Sequence, residues 1–272
     1  MRRTAARFAW AGVLAISACA CLALGGASAR REEVRVAAAA DLKFAMDELA
    51  ERYEKQVPAK ISVTYGSSGN FFSQIQNGAP FDLFFSADID YPRKLEAAGL
   101  AEPGTLYEYG VGRIVIWMPA QTSVDLAKLG WKTLLADEIR KIAIANPAHA
   151  PYGRAAVAAL QKAGIYEQVR AKLVYGENIS QAAQFVQSGN AQAGIVALSL
   201  AVSLAMKDGK RWEIPADTYP RIEQGAIVLK SARNKEAARA FMAFVKSDVG
   251  RTIFERYGFE LPGATAVNSR TK

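Results

Sequence analysis

The chain has 272 residues, of which 51% are hydrophobic and 22% are charged, and its formal net charge is +8. This composition is typical of a folded globular protein with one large domain or two smaller ones, and it excludes a disordered or fibrous chain. The positive charge is scattered without a basic block, which argues against nucleic acid as a partner.

Residues 1–29 have the pattern of a secretory signal peptide. Three arginines precede an apolar run over residues 8–24, and residues 27–29 (ASA) have the small-x-small form of a cleavage site. Removing this segment leaves 31 basic against 26 acidic residues, a net charge of +5. The sequence therefore predicts export, with a mature chain that begins at Arg30 and is free in the periplasm.

Both cysteines, Cys19 and Cys21, fall within this N-terminal segment. Residues 16–19 (ISAC) also resemble a lipobox, so lipid attachment through Cys19 is the alternative to cleavage after Ala29. Cleavage leaves a chain with no cysteine, and hence with no disulfide and no cysteine metal site.

The first half of the remaining chain alternates between strand and helix patterns. Strands are indicated by short apolar runs, and helices by apolar residues three or four positions apart. Asp41 stands at the position of an N-cap, and residues 65–70 (YGSSGN) form a small-residue turn between a strand and a helix. The order βαβαβα predicts a parallel sheet flanked by helices. The segments are strands at 34–40, 59–65 and 80–87, and helices at 42–53, 71–76 and 91–98.

The pattern changes near residues 109–113 and then repeats. Two similar α/β halves with a late return strand predict two lobes joined by two hinge strands. Lobe I would comprise residues 30–110 and 226–272, and lobe II residues 111–225, with hinges near 109–113 and 222–226. The further segments are strands at 113–118, 141–145, 173–175, 193–197 and 225–229, and helices at 124–138, 152–163, 179–186 and beyond a cap at Asn234.

Four strand-to-helix turns carry small or polar residues, and they contain Asp41, Ser67-Ser68, Tyr152-Gly153 and Asn178-Ile179. In open α/β sheets, ligands bind beyond the carboxyl ends of the strands. Each helix N-terminus carries roughly half a positive charge, so four of them balance a dianion without a lysine or arginine. The alternative is that these are ordinary helix starts that face water, with serine as a cap.

Five stretches resemble the periplasmic molybdate-binding proteins of ABC importers. They are residues 36–42 (VAAAADL), 65–69 (YGSSG), 78–88 (GAPFDLFFSAD), 146–153 (NPAHAPYG) and 256–259 (RYGF). The similarity covers essentially the whole mature chain, in order, and the third and fourth stretches are the most specific.

This resemblance implies an α/β, two-lobed, type II periplasmic-binding-protein fold that closes on molybdate or tungstate. The oxyanion would be held by neutral hydrogen bonds, with no direct metal ligand, no catalytic residue and no cofactor. By position, Ser68 would give hydroxyl and amide donors beside Ser67, Tyr152 and Ile179 would give backbone N–H groups, and Asp41 would occupy the first-turn ligand position. The implied partner is an ABC permease in the membrane, and the binding protein itself would be a monomer.

Two residues depart from the family pattern. Many relatives have serine or asparagine at the position of Asp41, and some have an anion-contacting tyrosine at the position of Ala197. Since a carboxylate repels deprotonated molybdate, Asp41 is expected to cap its own helix while its backbone N–H serves the ligand. The Tyr152 hydroxyl is the candidate to replace the donor missing at Ala197.

Two alternatives remain open at this point. Another tetrahedral oxyanion, such as phosphate or sulfate, is the alternative ligand, and a protonated phosphate would donate a hydrogen bond to Asp41. The alternative from another class is a secreted hydrolase, for which the sequence offers no convincing acid–base pair. His149, the only histidine, is expected to be structural.

Overall fold

The computed structural model describes residues 32–263. The predicted signal segment at 1–29 and its alternative lipid site, Cys19, lie outside the described residues. Within residues 32–263, no helix combines the length and the apolar character that crossing a bilayer requires.

The strands of the described chain are short and mostly apolar. Residues 83–86 and 142–145 are buried at every position, as expected for strands that are covered by helices on both faces. The strands are β1 (Glu32–Ala39), β2 (Ala59–Gly66), β3 (Leu83–Ser86), β4 (Tyr107–Gly112), β5 (Ile114–Met118), β6 (Ile142–Ala145), β7 (Leu173–Gly176), β8 (Ala193–Ala197), β9 (Lys210–Glu213) and β10 (Ile222–Val228).

The helices alternate with these strands, and several begin at an asparagine cap. The side chains of Asn178 and Asn234 accept hydrogen bonds of 3.0 Å from the backbone N–H groups of Gln181 and Ala237, which confirms both predicted caps. The α-helices are α1 (Lys43–Glu54), α2 (Ser68–Gln76), α3 (Asp90–Ala97), α4 (Leu126–Leu129), α5 (Pro151–Lys162), α6 (Tyr166–Val169), α7 (Ile179–Gln187), α8 (Leu198–Ala201), α9 (Lys235–Lys246) and α10 (Asp248–Arg256).

Two five-stranded sheets of the same plan form the core. The first has the order β2-β1-β3-β10-β4, and the second has the order β7-β6-β8-β5-β9. In each sheet a single strand, β10 or β5, runs antiparallel to its two neighbours. The prediction of two mostly parallel sheets flanked by helices is confirmed.

The chain passes between the sheets twice. It leaves the first sheet at Gly112 and enters the second at Ile114, and it returns between Glu213 and Ile222. Residues 111–112 and 222–225, which the sequence prediction placed in lobe II, belong to strands of the first sheet. Hinge motion at these two connections stays a prediction.

The predicted helix over residues 124–138 is wrong. After the four residues of α4, the chain forms a 3-10 helix at Gly130–Leu135. Gly130 has a φ of 51°, in the left-handed region that ends an α-helix. A Cβ on this glycine would lie 3.1 Å from the ring of Trp212 in β9, so the backbone at Gly130 passes close to that strand. The apolar residues of the segment therefore pack against β9 in two short turns.

Candidate functional site

Four helix starts meet at a small cavity between the two sheets. The cavity is lined by the turn before α1 and the start of α2 on one side, and by the starts of α5 and α7 on the other. All five predicted site residues line it: Asp41, Ser67, Ser68, Tyr152 and Ile179. No lysine or arginine is among the described residues that line it, so its positive potential comes from helix N-termini.

Ser68 is buried with its hydroxyl proton available. Its Oγ accepts a 2.9 Å hydrogen bond from the backbone N–H of Ala87, which comes directly after β3. The hydrogen bonds of residues 32–263 include no acceptor for the Ser68 hydroxyl, and no capping bond is made by Ser67 or Ser68 in α2. Ser67 thus stands at the N-cap of α2 without a side-chain capping bond, and Ser68 keeps a donor for an anion.

Ser67 contacts the opposite lobe. Its Oγ lies 2.9 Å from Nδ1 of His149, in the loop between β6 and α5. Two residues further, the N–H of Gly69 donates a 3.0 Å hydrogen bond to the carbonyl of His149. Ser67 thus serves the contact between the lobes.

Glu177 extends this contact on the outside of the cavity. Its carboxylate accepts from Asn70 Nδ2 and lies 3.6 Å from His149 Nε2. Ser67, His149 and Glu177 thus form a row of residue types that a hydrolase uses. However, Ser67 is only 4% exposed, and the nearby N–H of Gly69 already donates to the carbonyl of His149. The row connects two lobes, consistent with the structural role predicted for His149.

The Asp41 side chain does not cap a helix, contrary to the sequence prediction. Asp41 lies in a 3-10 turn at Ala40–Leu42, and the N-cap of α1 is Leu42, with no side-chain cap bond. Asp41 Oδ2 instead accepts hydrogen bonds of 2.9 Å from the Tyr152 hydroxyl and 2.8 Å from Gln224 Nε2. Its other oxygen, Oδ1, is buried and has no partner among the described residues.

Burial raises the pKa of Asp41 to about 6, against hydrogen bonds from the Gln224 and Tyr152 side chains and from the backbone N–H groups of Asp41 and Leu42, which lower it. The ordinary value is 3.8, so burial outweighs these four donors. Asp41 is therefore a carboxyl that takes up a proton close to neutral pH.

The Tyr152 hydroxyl has a single proton, and that proton is donated to Asp41. The same hydroxyl accepts a 2.8 Å bond from Gln224 Nε2. The expectation that it replaces the donor missing at Ala197 is wrong, although Tyr152 still presents its backbone at the start of α5. Ala197 itself is completely buried at the end of β8.

Two residues that position the Asp41 carboxyl, Gln224 and Tyr109, were not predicted from the sequence. Gln224 donates to the carboxyl, and Tyr109 donates to Gln224. Gln224 is completely buried in β10, and its Oε1 accepts a 2.7 Å bond from the hydroxyl of Tyr109 in β4. Gly112 makes room for the group, since a Cβ there would lie 2.1 Å from the Tyr152 hydroxyl oxygen. The available signal was a lone amide in the apolar run of residues 222–229.

Two further serines bind the Asp41 turn from the opposite lobe. Ser199 Oγ donates a 2.7 Å hydrogen bond to the carbonyl of Asp41, and Ser180 Oγ donates a 2.8 Å bond to the carbonyl of Ala40. Ser180 lies in the first turn of α7, and Ser199 lies in α8. The Asp41 turn is thus held by contacts from both lobes.

A model of the bacterial extracellular solute-binding proteins matches residues 34–260. The chain belongs to this family. The match covers both sheets, and it includes every residue of the cavity described above.

The relatives of this solute-binding protein are similar over nearly their full length. It is 39% identical to the molybdate-binding protein ModA of Azotobacter vinelandii, over 86% of this chain and 92% of the relative. It is 37% identical to ModA of Rhodobacter capsulatus, over 92% and 95%. The solved structure of the A. vinelandii periplasmic molybdate-binding protein superposes with a TM-score of 0.78 at 35% identity, over 84% of this chain and 99% of that one. The predicted two-lobed type II fold is confirmed.

This solute-binding protein also has a larger groove beside the cavity. It is lined by three arginines and three acidic residues, and Arg154 bridges to Asp88 at 2.5 Å. Because these charges balance, the groove offers no net attraction for a dianion. Asp88 Oδ1 accepts a local hydrogen bond of 3.0 Å from the N–H of Asp90, and its other oxygen, Oδ2, accepts from Arg154 in α5, which joins the two lobes.

Proposed function

We propose that this protein captures molybdate or tungstate in the cavity between its lobes and delivers it to an ABC permease. The observation that carries this proposal is the convergence of four helix starts and a free Ser68 hydroxyl on a cavity without lysine or arginine. Neutral donors of this kind favour an anion that needs no proton of its own. The names of the relatives, molybdate-binding proteins, support this choice of ligand.

The two lobes would share the ligand. Ser68 and the backbone of Asp41 belong to the first sheet, and the backbone N–H groups of Tyr152 and Ile179 belong to helices of the second. A ligand that contacts both sides favours the closed form by its differential affinity. We therefore expect added molybdate to compact the protein and to raise its thermal stability.

Export is part of the proposal. A periplasmic protein would be released by cleavage after Ala29, as a monomer, and the alternative is a lipid anchor on Cys19. The intact mass of the exported protein distinguishes a chain that starts at Arg30 from one that starts at a modified Cys19.

Calorimetry with molybdate, tungstate, sulfate and phosphate tests the ligand. Molybdate and tungstate are expected to bind most tightly. Ser68→Ala removes one charge-assisted donor, a loss of roughly 1.5–3 kcal/mol, and should weaken molybdate binding about tenfold or more. Unchanged affinity in Ser68→Ala would place the ligand elsewhere, and a parent that prefers phosphate or sulfate would refute the molybdate assignment.

One observation favours phosphate as the second candidate. A buried carboxylate with a free oxygen, as in Asp41, accepts a hydrogen bond from a protonated oxyanion, and phosphate carries a proton at neutral pH. The same calorimetric panel decides, since Asp41→Asn would then abolish a preference for phosphate. A hydrolase would have to use the buried Ser67 and His149, and hydrolysis of ester substrates that stops in Ser67→Ala would support it.

A further inference from the structure

The two oxygens of the Asp41 carboxyl have different surroundings. Oδ2 accepts two hydrogen bonds, from the Tyr152 hydroxyl and from Gln224 Nε2, and both donors are fixed by further contacts. Oδ1 is buried and has no partner among residues 32–263, although Asp41 lines the cavity. Because Oδ2 is saturated as an acceptor, a proton on this carboxyl belongs on Oδ1.

Among residues 32–263, no positive charge compensates this carboxyl. The titratable groups that face it are two phenols, Tyr152 from α5 and Tyr109 from β4, and burial raises the pKa of both well above the ordinary value, so they stay neutral. From β10 the carboxyl meets the neutral amide of Gln224, while the Ser199 hydroxyl of α8 donates to the main-chain carbonyl of Asp41. The imidazole of His149, beside the cavity, contacts the Ser67 hydroxyl.

From α7, the group that reaches the Asp41 turn is the hydroxyl of Ser180, which is uncharged. In the described chain, no lysine, arginine or histidine is among the causes of the pKa shift of Asp41. Its charge is therefore opposed only by neutral donors, namely the Tyr152 hydroxyl, the Gln224 amide and the backbone N–H groups of Asp41 and Leu42.

A dianion in this cavity would lie close to the carboxylate of Asp41, which lines it. At short range in a closed, water-poor cavity, repulsion between like charges is strong. A neutral carboxylic acid removes this repulsion. Its O–H at Oδ1 also needs an acceptor, and an oxygen of the ligand would supply one, since the described protein residues do not.

We propose that the cavity binds its dianionic ligand together with one proton, which lies on Asp41 Oδ1 and is donated in a hydrogen bond to a ligand oxygen. This inference rests on the proposed function and adds a requirement to it. The proton comes from solvent or buffer, no covalent bond of the ligand changes, and the complex gains one positive charge relative to dianion binding alone. Because its O–H is a donor, Asp41 then favours oxyanions whose oxygens all accept hydrogen bonds.

A proton-linked site has a defined pH dependence. If only the neutral acid binds, affinity falls about tenfold per pH unit above the pKa of the free carboxyl, by the linkage of proton and ligand binding. Asp41→Asn replaces the O–H donor by an N–H donor that does not titrate. The parent and the variant should bind molybdate with similar affinity near pH 6, and the parent should become about tenfold weaker between pH 7 and pH 8 while the variant does not change.

Calorimetry of the mature chain with molybdate at pH 7.5 counts the proton directly. The binding enthalpy is measured in HEPES, imidazole and Tris, whose ionisation enthalpies differ. The slope of the observed binding enthalpy against the ionisation enthalpy of the buffer gives the number of protons taken up. We expect close to one for the parent and close to zero for Asp41→Asn. His149→Gln is the matched control, since it removes the imidazole beside the cavity and leaves an amide that can still contact Ser67, and it should still take up one proton.

The outcomes separate the two proposals. Molybdate binding by the parent with no proton uptake and no pH dependence from pH 6 to 8.5 would overturn this inference and leave the proposed function intact. Uptake that persists in Asp41→Asn, or that disappears in His149→Gln, would also overturn it. No molybdate binding at any pH would overturn the proposed function and this inference together. Even if Asp41→Asn fails to fold, the pH dependence of molybdate binding by the parent alone tests whether binding requires a proton.

Discussion

At the scale of the residue, Asp41 shows how burial and hydrogen bonding oppose each other. Two donors, from Tyr152 and Gln224, stabilise the ionised form, yet the pKa rises from 3.8 to about 6 because the carboxyl is removed from water. The neutral acid is therefore the form that the folded protein tolerates better. A carboxyl at this place costs stability whenever it is ionised.

This cost predicts a stability that depends on pH. The folded pKa lies above the unfolded one, so the contribution of Asp41 is fully present below about pH 4 and is lost as the pH rises through about 6. The shift corresponds to about 3 kcal/mol. Denaturant unfolding of the parent and of Asp41→Asn at pH 4 and pH 7 isolates this group, since other titrations cancel. The parent should lose about 3 kcal/mol relative to the variant, and a constant difference would show that Asp41 is ionised without penalty.

The sequence predicted which residues would meet at the cavity, but not what each side chain does there. Ser68 and Asp41 follow strands that end at the same edge of a sheet, so their proximity followed from topology. The Asp41–Tyr152–Gln224 group joins positions that are 72 to 183 residues apart in the chain. Such a contact depends on how the two lobes close, which local patterns do not specify.

At the scale of the element, α7 presents its N-terminus to the cavity, and an asparagine cap fixes that end. Asn178 accepts from the N–H of Gln181 at 3.0 Å, and the next residue, Ile179, lines the cavity. An equivalent cap at Asn234 begins α9, whose buried face packs on the first sheet. The two caps have the same chemistry and differ in what their helices face.

Removing each of the two caps in turn separates an effect on folding stability from an effect on molybdate binding. Asn178→Ala and Asn234→Ala should each lower the free energy of unfolding by about 1 kcal/mol. Only Asn178→Ala should also weaken molybdate binding, by about fivefold if the ligand must reorder the first turn of α7. Denaturant unfolding and calorimetry on both variants check this. Equal losses of affinity would mean that binding follows global stability and not the geometry of α7.

Elements with clear end signals were predicted well, and those that depend on packing were not. The caps at Asn178 and Asn234 are local, because the bonded groups lie three residues apart in the chain. The segment at residues 124–138 has helical spacing, but Gly130 breaks it against Trp212, which is distant in the chain. Strand β4 was predicted only as a hinge strand near residues 109–113, because Tyr109 and two glycines interrupt its apolar pattern. Its surroundings are completed by β10 and Phe254, which are distant in the chain.

At the scale of the whole molecule, backbone and side-chain contacts join the two lobes around the cavity. They include the Gly69 N–H bond to the His149 carbonyl, the Ser67–His149 contact and the Arg154–Asp88 ion pair. These groups are uncharged or paired, so they favour closure without adding net charge near the ligand. In this arrangement, backbone as well as side-chain contacts hold the two lobes together.

Gly69 allows the closest of these approaches, and that gives a test of closure. A Cβ on Gly69 would lie 2.6 Å from the carbonyl oxygen of His149 and 3.1 Å from its Cα, both on the opposite lobe. Gly69→Ala should therefore hinder closure while leaving the fold stable, since alanine favours a helix over glycine by about 1 kcal/mol. We expect molybdate affinity to fall about tenfold or more, and ligand-induced compaction in X-ray scattering to diminish, with the unfolding midpoint of the free protein maintained. Ser73→Ala, on the exposed face of the same helix, is the control and should behave as the parent does. A Gly69→Ala protein that binds and compacts like the parent would show that the lobes do not close on His149 when the ligand binds.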